Sequence, residues 1–241
     1  MKSALLDLLK RQSFQPFFWS ILINPFFFIR RGLCHGIRKN QKYLTGHMLD
    51  FGCGRKPYKN LFSVDRYTGV DIEVSGHSHE LSEVDVYYDG KVLPFPDNTF
   101  DSFFCSEVVE HIFNLDSILA EIKRVLKPGA KGLLTVPFAW PEHEVPYDFG
   151  RYTSFALPLI LKKHGFRVIS LDKSGHFTES LLQLTTLYLY TLLSGRSRLW
   201  NVFITFICLF PIHLVGGLLT FVLPKNKDLY HNLIVVVERV E

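Results

Sequence analysis

The apolar and polar positions of this chain fall into three regimes. Between residues 47 and 175, short apolar runs bounded by glycine, proline or acids alternate with stretches of helical period, the pattern of an α/β domain with a mainly parallel sheet. Runs at 48–51, 67–74 (YTGVDIEV), 84–90 (VDVYYDG), 100–108 (FDSFFCSEV), 131–138 (KGLLTVPF) and 167–175 (RVISLDKSG) predict six strands. Leu115, Ile118, Leu119, Ile122 and Val125 recur at three- and four-residue intervals and predict a helix. Lys123, Arg124 and Lys127 crowd its negative end, and Pro128-Gly129 stops it. A second helix is predicted over 153–166, entered through Thr153 or Ser154 as cap. Residues 176–224 are apolar and mostly helical in period, and NLIVVVERV (232–240) is a β-branched strand. That strand needs a sheet to join, and the one at hand belongs to the α/β domain. Residues 176–224 therefore read as an insertion, and the domain comprises 47–175 with 225–241.

Upstream, residues 1–46 form a basic and aromatic lead-in, helical by expectation. FQPFFWSILINPFFFIRRG (14–32) is apolar over roughly sixteen residues, short of the ~20 a spanning helix needs. Arg30, Arg31, Arg38, Lys39 and Lys42 follow. Two readings stand beside each other here: a helix packed on the domain, or an interfacial anchor with aromatics in lipid and bases at the headgroups. A late apolar start, Pro16, Pro25 and the lack of a small-residue cleavage site separate it from a signal peptide.

Composition narrows function more than fold. Of 241 residues, 47% are hydrophobic and 22 are Phe, rich for a simple soluble enzyme. The net charge of +4 is dispersed, which gives nucleic-acid binding little support and suits an anionic membrane surface equally well. Cys34, Cys53, Cys105 and Cys208 form no CxxC pair; they fit a reducing compartment and argue against a zinc site, so no metal is expected.

Candidate chemistry begins at HMLDFGCGRKPY (47–58). A glycine turn after a strand lets backbone approach a ligand, with turn N–H groups and a following helix N-terminus facing it. Asp71, about twenty residues after Asp50, ends the next strand, where an acid accepts ribose hydroxyls. NAD and S-adenosylmethionine both meet that description. Gly52 and Gly54 are followed by Pro57 where a dinucleotide fold wants its third glycine. Asp50 beside the turn suits a cation and repels a diphosphate. Both details favour S-adenosylmethionine over NAD.

The segments LDFGCG, YTGVDI, LPFPDNTFD, SEVVEHI and RVLKPGAKGLLTVPF stand in the order and spacing of class I S-adenosylmethionine-dependent methyltransferases, and over 47–175 the chain resembles their type 11 group. The resemblance implies a Rossmann-like, doubly wound sheet whose last strand is antiparallel. It also implies a cofactor site in which Asp50, Gly52 and Gly54 form the first motif and Asp71 holds the ribose. Asp89 would meet the adenine amino group, Ile72 would pack on the base, and Ser106 and Glu107 would lie beside the methionine part. For Asp89 and Ser106 an ordinary turn role competes. Arg55, Lys56, Pro57 and Tyr58 depart from the small residues many members carry, and Tyr58 either covers the cofactor or packs on the domain.

Methyl transfer to a hydroxyl also needs a proton acceptor, for which histidine is the default. His111 follows the fourth strand and reads more readily as a structural hydrogen-bonding residue than as a base. The loop WPEHEVPYDFGRYT (140–153) follows the fifth, carrying Glu142, His143, Glu144, Asp148 and Arg151. His143, its proton affinity raised by the flanking acids Glu142 and Glu144, is the first candidate base; a salt-bridged lid closed by Asp148 and Arg151 is the competing reading. This loop resembles one in methyltransferases of surface-glycan biosynthesis, which points to a glycan or lipid-linked acceptor.

The run LWNVFITFICLFPIHLVGGLLTFVL (199–223) is long enough to span a bilayer, but an insertion leaving and rejoining one sheet would have to cross twice. Its partner, 178–193, is short, the turn between them carries Arg196 and Arg198, and Pro211 with Gly216-Gly217 interrupts the longer segment. A hairpin dipping into one leaflet is expected ahead of an apolar cap or dimer interface. Together these readings predict O-methylation of a lipid-borne or glycan acceptor at the cytosolic membrane face. A non-catalytic membrane scaffold on the same fold, or methylation of a small soluble metabolite, are the alternatives.

Overall fold

The computed structural model describes residues 11–73 and 83–241, so the end of the expected strand 67–74 lies outside the described residues. The chain divides into two compact units: 36–172 with 233–241, and 1–35 with 173–232. The boundary at residue 35 falls within helix α1 (Phe27–Asn40).

The first unit is α/β. β1 (His47–Phe51), β2 (Arg66–Ile72), β3 (Val86–Tyr88), β4 (Phe100–Ser106), β5 (Leu126–Pro137), β6 (Phe166–Ser174) and β7 (Asn232–Arg239) form one sheet in the order β3-β2-β1-β4-β5-β7-β6. β1 to β5 pair in parallel, with Asp50 opposite both Gly69 and Phe104, and Cys105 opposite Leu134. The last strand is antiparallel, as expected. Met48, Leu49, Phe103, Leu133 and Val235 to Val237 are buried, the continuous apolar run of strands covered on both faces. β5 starts five residues earlier than its pattern suggested. Helix α2 (Leu115–Val125) buries all five residues that predicted it, and the chain turns at Gly129, where φ is +76°. Helix α3 (Ala156–Lys163) is shorter than expected, but the Ala156 N–H does donate to Thr153 Oγ1 at 3.1 Å.

The second unit is helical. α4 (Phe177–Leu193) is followed by α5 (Arg198–Ile204), a π-helical turn (Thr205–Leu209) and α6 (Phe210–Val222). The last three run on as one 24-residue helix, Leu199–Val222, long and apolar enough to cross a membrane by length and composition. Pro211 and Gly216-Gly217 do not break it, contrary to expectation. Proline lacks an N–H and crowds the preceding turn, and the wider π turn directly before it absorbs that misfit. Gly216 is a packing glycine: a Cβ there would stand 2.4 Å from the Leu182 side chain, so α4 and α6 approach through it.

The aromatic lead-in belongs to this same unit. Phe27 and Phe28 cluster with Leu182, and Ile21 and Ile212 pack against them. Gln183, fully buried, donates to the Pro25 carbonyl (2.9 Å) and accepts from the Ile29 N–H (3.3 Å), one of the donors the first turn of α1 leaves unpaired. Phe17 and Phe18 remain exposed. The lead-in is therefore partly a packing partner of the insertion, and only its upstream end offers aromatics outward.

Candidate active site

The carboxyl ends of β1, β2 and β4 converge, as an open parallel sheet requires where its winding reverses. Gly52 has φ +71°, and its N–H, like that of Cys53, donates to the Val70 carbonyl (2.9 and 3.1 Å). A Cβ on Gly52 would meet Val108 at 2.3 Å, so this glycine is required by both conformation and space. Gly54 also lies at positive φ, but no atom approaches where its Cβ would be, which leaves open room for a ligand. Its N–H donates to Asp71 Oδ2 at 2.8 Å, and Asp71 Oδ1 accepts from the Ile72 N–H at 2.8 Å. The buried Asp71 carboxylate is thus oriented against the glycine turn.

No α-helix follows this turn, only the 3-10 turn Lys59–Leu61. Lys56 at φ +49° and Pro57 deny the chain helical geometry, so the expected helix N-terminus is absent and the turn's own N–H groups remain. The departures at 55–58 have structural roles. Lys56 is buried and pairs with Asp85 (2.7 Å). Tyr58 is buried edge-on against Phe104, 6.2 Å between centroids, so it packs on the domain.

Asp50 is 4% exposed and accepts a hydrogen bond from the Tyr67 hydroxyl. Burial raises its carboxyl to about 7, against the opposing pull of Tyr67 and Lys56. Ile72, half-buried, pairs with Tyr88 in register. Just beyond, Asp89 Oδ1 accepts from the N–H groups of Lys91 and Val92 (2.8 and 3.0 Å), bonds that lower its proton affinity. Asp89 therefore does have the turn role weighed against its ligand role.

Ser106 and Glu107 meet through Thr135 on β5. Thr135 Oγ1 donates to Glu107 Oε1 (2.8 Å) and accepts from Ser106 Oγ (2.8 Å). Glu107 takes φ +56°, a strained value for a non-glycine residue directly after β4.

His111 and His143 come together, ring centroids 4.8 Å apart and near perpendicular. Glu144 is 3.9 Å from His111 Nε2. The proton affinity of His143 is lowered, not raised as expected: burial outweighs the acids, His111 adds to it, and Asp148 (3.1 Å from Nδ1) opposes it only in part. Neutral histidine is the form able to accept a proton. The Asp148–Arg151 clasp of the competing reading is present, bidentate at 2.5 and 2.7 Å. Arg151 also donates to the carbonyls of Trp140, Pro141 and Gly150, so one side chain holds most of the loop.

The residue that sequence reasoning passed over is Glu110. It is fully buried on the 3-10 turn Val109–His111, its carboxyl pushed well above the usual range by burial and then by Glu107. Its place directly before His111 was the one available signal.

Residues 49–134 match the family model described as a methyltransferase domain. The chain carries a class I S-adenosylmethionine-dependent methyltransferase domain. A ubiquinone/menaquinone biosynthesis C-methyltransferase of Shewanella pealeana is 42% identical over 96 residues, covering 40% of this chain and 37% of that protein. A sterol 24-C-methyltransferase of Pneumocystis carinii is 25% identical over 83% of this chain and 64% of its own length. The chain thus spans less than two thirds of these curated relatives. Among solved structures, a SAM dependent methyltransferase from Archaeoglobus fulgidus superposes with TM-score 0.53 at 16% identity, covering 88% of this chain and 96% of that one, a likeness of fold.

Proposed function

We propose that this chain transfers a methyl group from S-adenosylmethionine to an oxygen of a lipid-borne or glycan acceptor at the cytosolic face of a membrane. The observation that carries the reading is the convergence at one sheet edge of the open glycine turn, the oriented Asp71 carboxylate and the histidine pair. When bound, the cofactor supplies a methyl group on a sulfonium leaving group. Asp71 would hold the ribose, Asp50 would favour the cationic end, and Asp89, Ile72, Ser106 and Glu107 would line the rest. Aligning the acceptor is the larger task and supplies several kcal/mol. Removal of the hydroxyl proton falls to the His111–His143 cluster, with Glu144 beside it.

An apolar acceptor is supported by the rim of this edge. Phe113 and Phe149 stand in T-shaped contact 5.4 Å apart, 84% and 47% exposed, within two residues of His111 and Asp148 respectively. The names of the relatives, quinone and sterol methyltransferases, agree with a lipid-like acceptor. Membrane association is supported by the helix Leu199–Val222, little of which is buried, with Phe203, Phe206, Leu214, Leu218 and Phe221 turned outward. Both ends of the insertion adjoin strands of one sheet, which favours a monotopic hairpin over a single crossing.

Calorimetry with S-adenosylhomocysteine on the wild type and Asp71→Ala tests the cofactor assignment. Binding should weaken at least tenfold in the variant, whereas tighter binding of NAD would overturn it. Mass spectrometry of membrane extracts incubated with methyl-labelled cofactor identifies the acceptor. Label confined to water-soluble products would replace the lipid reading with a metabolite one, and no transfer with cofactor bound would favour a scaffold.

A further inference from the structure

His111 Nδ1 lies 2.7 Å from the Tyr147 carbonyl oxygen. A carbonyl only accepts, so Nδ1 carries the hydrogen and the neutral ring has its lone pair on Nε2. That lone pair faces carboxylates: Glu110 Oε1 at 3.7 Å and Glu144 Oε2 at 3.9 Å. Glu110 has no exposure to solvent, and neither of its oxygens is hydrogen bonded to another residue among those described. A protonated His111 would not relieve this, because 3.7 Å is too long for a hydrogen bond. One donor atom each from Glu110, His111 and His143 lie within 4.8 Å of one another. Buried polar groups converging without a hydrogen bond between them suit a positive centre.

We propose that Glu110, His111 and His143 bind a divalent transition-metal cation. Ligand atoms about 2.1 Å from such an ion stand about 3.4 Å apart in a tetrahedral site, a contraction within reach of side-chain torsions. One outer partner is already bonded, to His111, and a second lies close to His143 without a formed hydrogen bond. Tyr147 accepts from His111 Nδ1, and Asp148, held by Arg151, lies 3.1 Å from His143 Nδ1. Such partners fix ring orientation at metal-ligating histidines. Two imidazoles with one carboxylate select Zn²⁺, Fe²⁺ or Mn²⁺ over Mg²⁺ and Ca²⁺, which prefer all-oxygen sets. The cysteines that argued against zinc take no part. On the proposed O-methylation, the cation would lower the pKa of the acceptor hydroxyl it binds, the released proton passing to solvent, and the histidines act as ligands in place of a free base.

The full chain, stripped with chelator and dialysed, is titrated with Zn²⁺ and Mn²⁺ by calorimetry, with metal content read by plasma mass spectrometry. About one equivalent should bind and raise the melting temperature. Glu110→Gln, His111→Ala and His143→Ala should each weaken binding by more than the 10–100-fold typical of an outer partner. S-adenosylhomocysteine titration of the same samples reports whether each variant is folded and keeps the methyltransferase reading separate from this one. Wild-type protein that binds the cofactor product but no stoichiometric metal overturns the proposal, as does metal binding unchanged in the His111→Ala, His143→Ala double variant.

Discussion

Asp50→Asn should make the protein more stable in mild alkali and worse at holding its cofactor. Burial raises the Asp50 carboxyl to about 7, whereas in the unfolded chain an aspartate titrates near 3.9. With the folded value the higher one, the folded state holds a proton that the unfolded state has released between about pH 4 and 7. Its contribution is therefore favourable in acid and is lost as pH rises through that window. Between pH 5 and 8 the loss amounts to about 3 kcal/mol. Asparagine keeps the shape, accepts the Tyr67 hydroxyl and never ionises. Denaturant unfolding should show the variant gaining about 3 kcal/mol on the wild type between those two pH values. S-adenosylmethionine affinity should behave oppositely, rising with pH up to about 7 in the wild type by as much as tenfold per unit and staying low and flat in the variant. Parallel stability profiles would refute the buried-carboxylate reasoning. A pH-independent wild-type affinity would refute the attraction of Asp50 for a cationic ligand.

Gly52→Ala should cost about 2 kcal/mol or more in denaturant unfolding, because positive φ and the Val108 contact both oppose a Cβ. Gly54→Ala, with the same conformation but open space, should cost about 1 kcal/mol and act chiefly on cofactor affinity. His143→Ala should abolish turnover while S-adenosylhomocysteine affinity measured by calorimetry stays within about threefold; full activity would move the role to His111. Liposome flotation should recover the wild type with membranes, largely salt-resistant, since half-exposed side chains along Leu199–Val222 supply roughly 10 kcal/mol on burial. Replacing 178–223 by a short linker should release it, and a thiol or protease probe reaching Arg196 from the opposite side would establish a two-pass hairpin.

What the sequence made legible was what chain neighbours determine. The apolar period of α2 and the strand–glycine–strand–acid spacing through Asp50, Gly52, Gly54 and Asp71 depend on a few adjacent residues, and each landed where expected. The lid clasp was legible for the same reason, since Asp148 and Arg151 are three apart. Features set by distant parts were not. Glu110 looks like any surface acid until β4 and the lid enclose it, and His143 loses its expected affinity gain because the fold buries it and sets His111 against it. The aromatic lead-in gave two equal readings because its partners, Leu182, Gln183 and His213, lie some 150 residues or more away. Pro211 read as a break because local propensity carries no sign of a π turn.

The place of β7 between β5 and β6 fixes an order of events during synthesis. β6 leaves the ribosome without its sheet neighbour, and residues 175–231 must follow before the strand that joins it to β5 exists. For that interval the edge of β5 is open and the apolar hairpin is already translated, a long-range closure that is slow and exposed to aggregation. A membrane that captures the hairpin first would shield it while the last strand is made. Expression without membranes should then fail by accumulation of a chain whose sheet is not closed, before any question of activity arises.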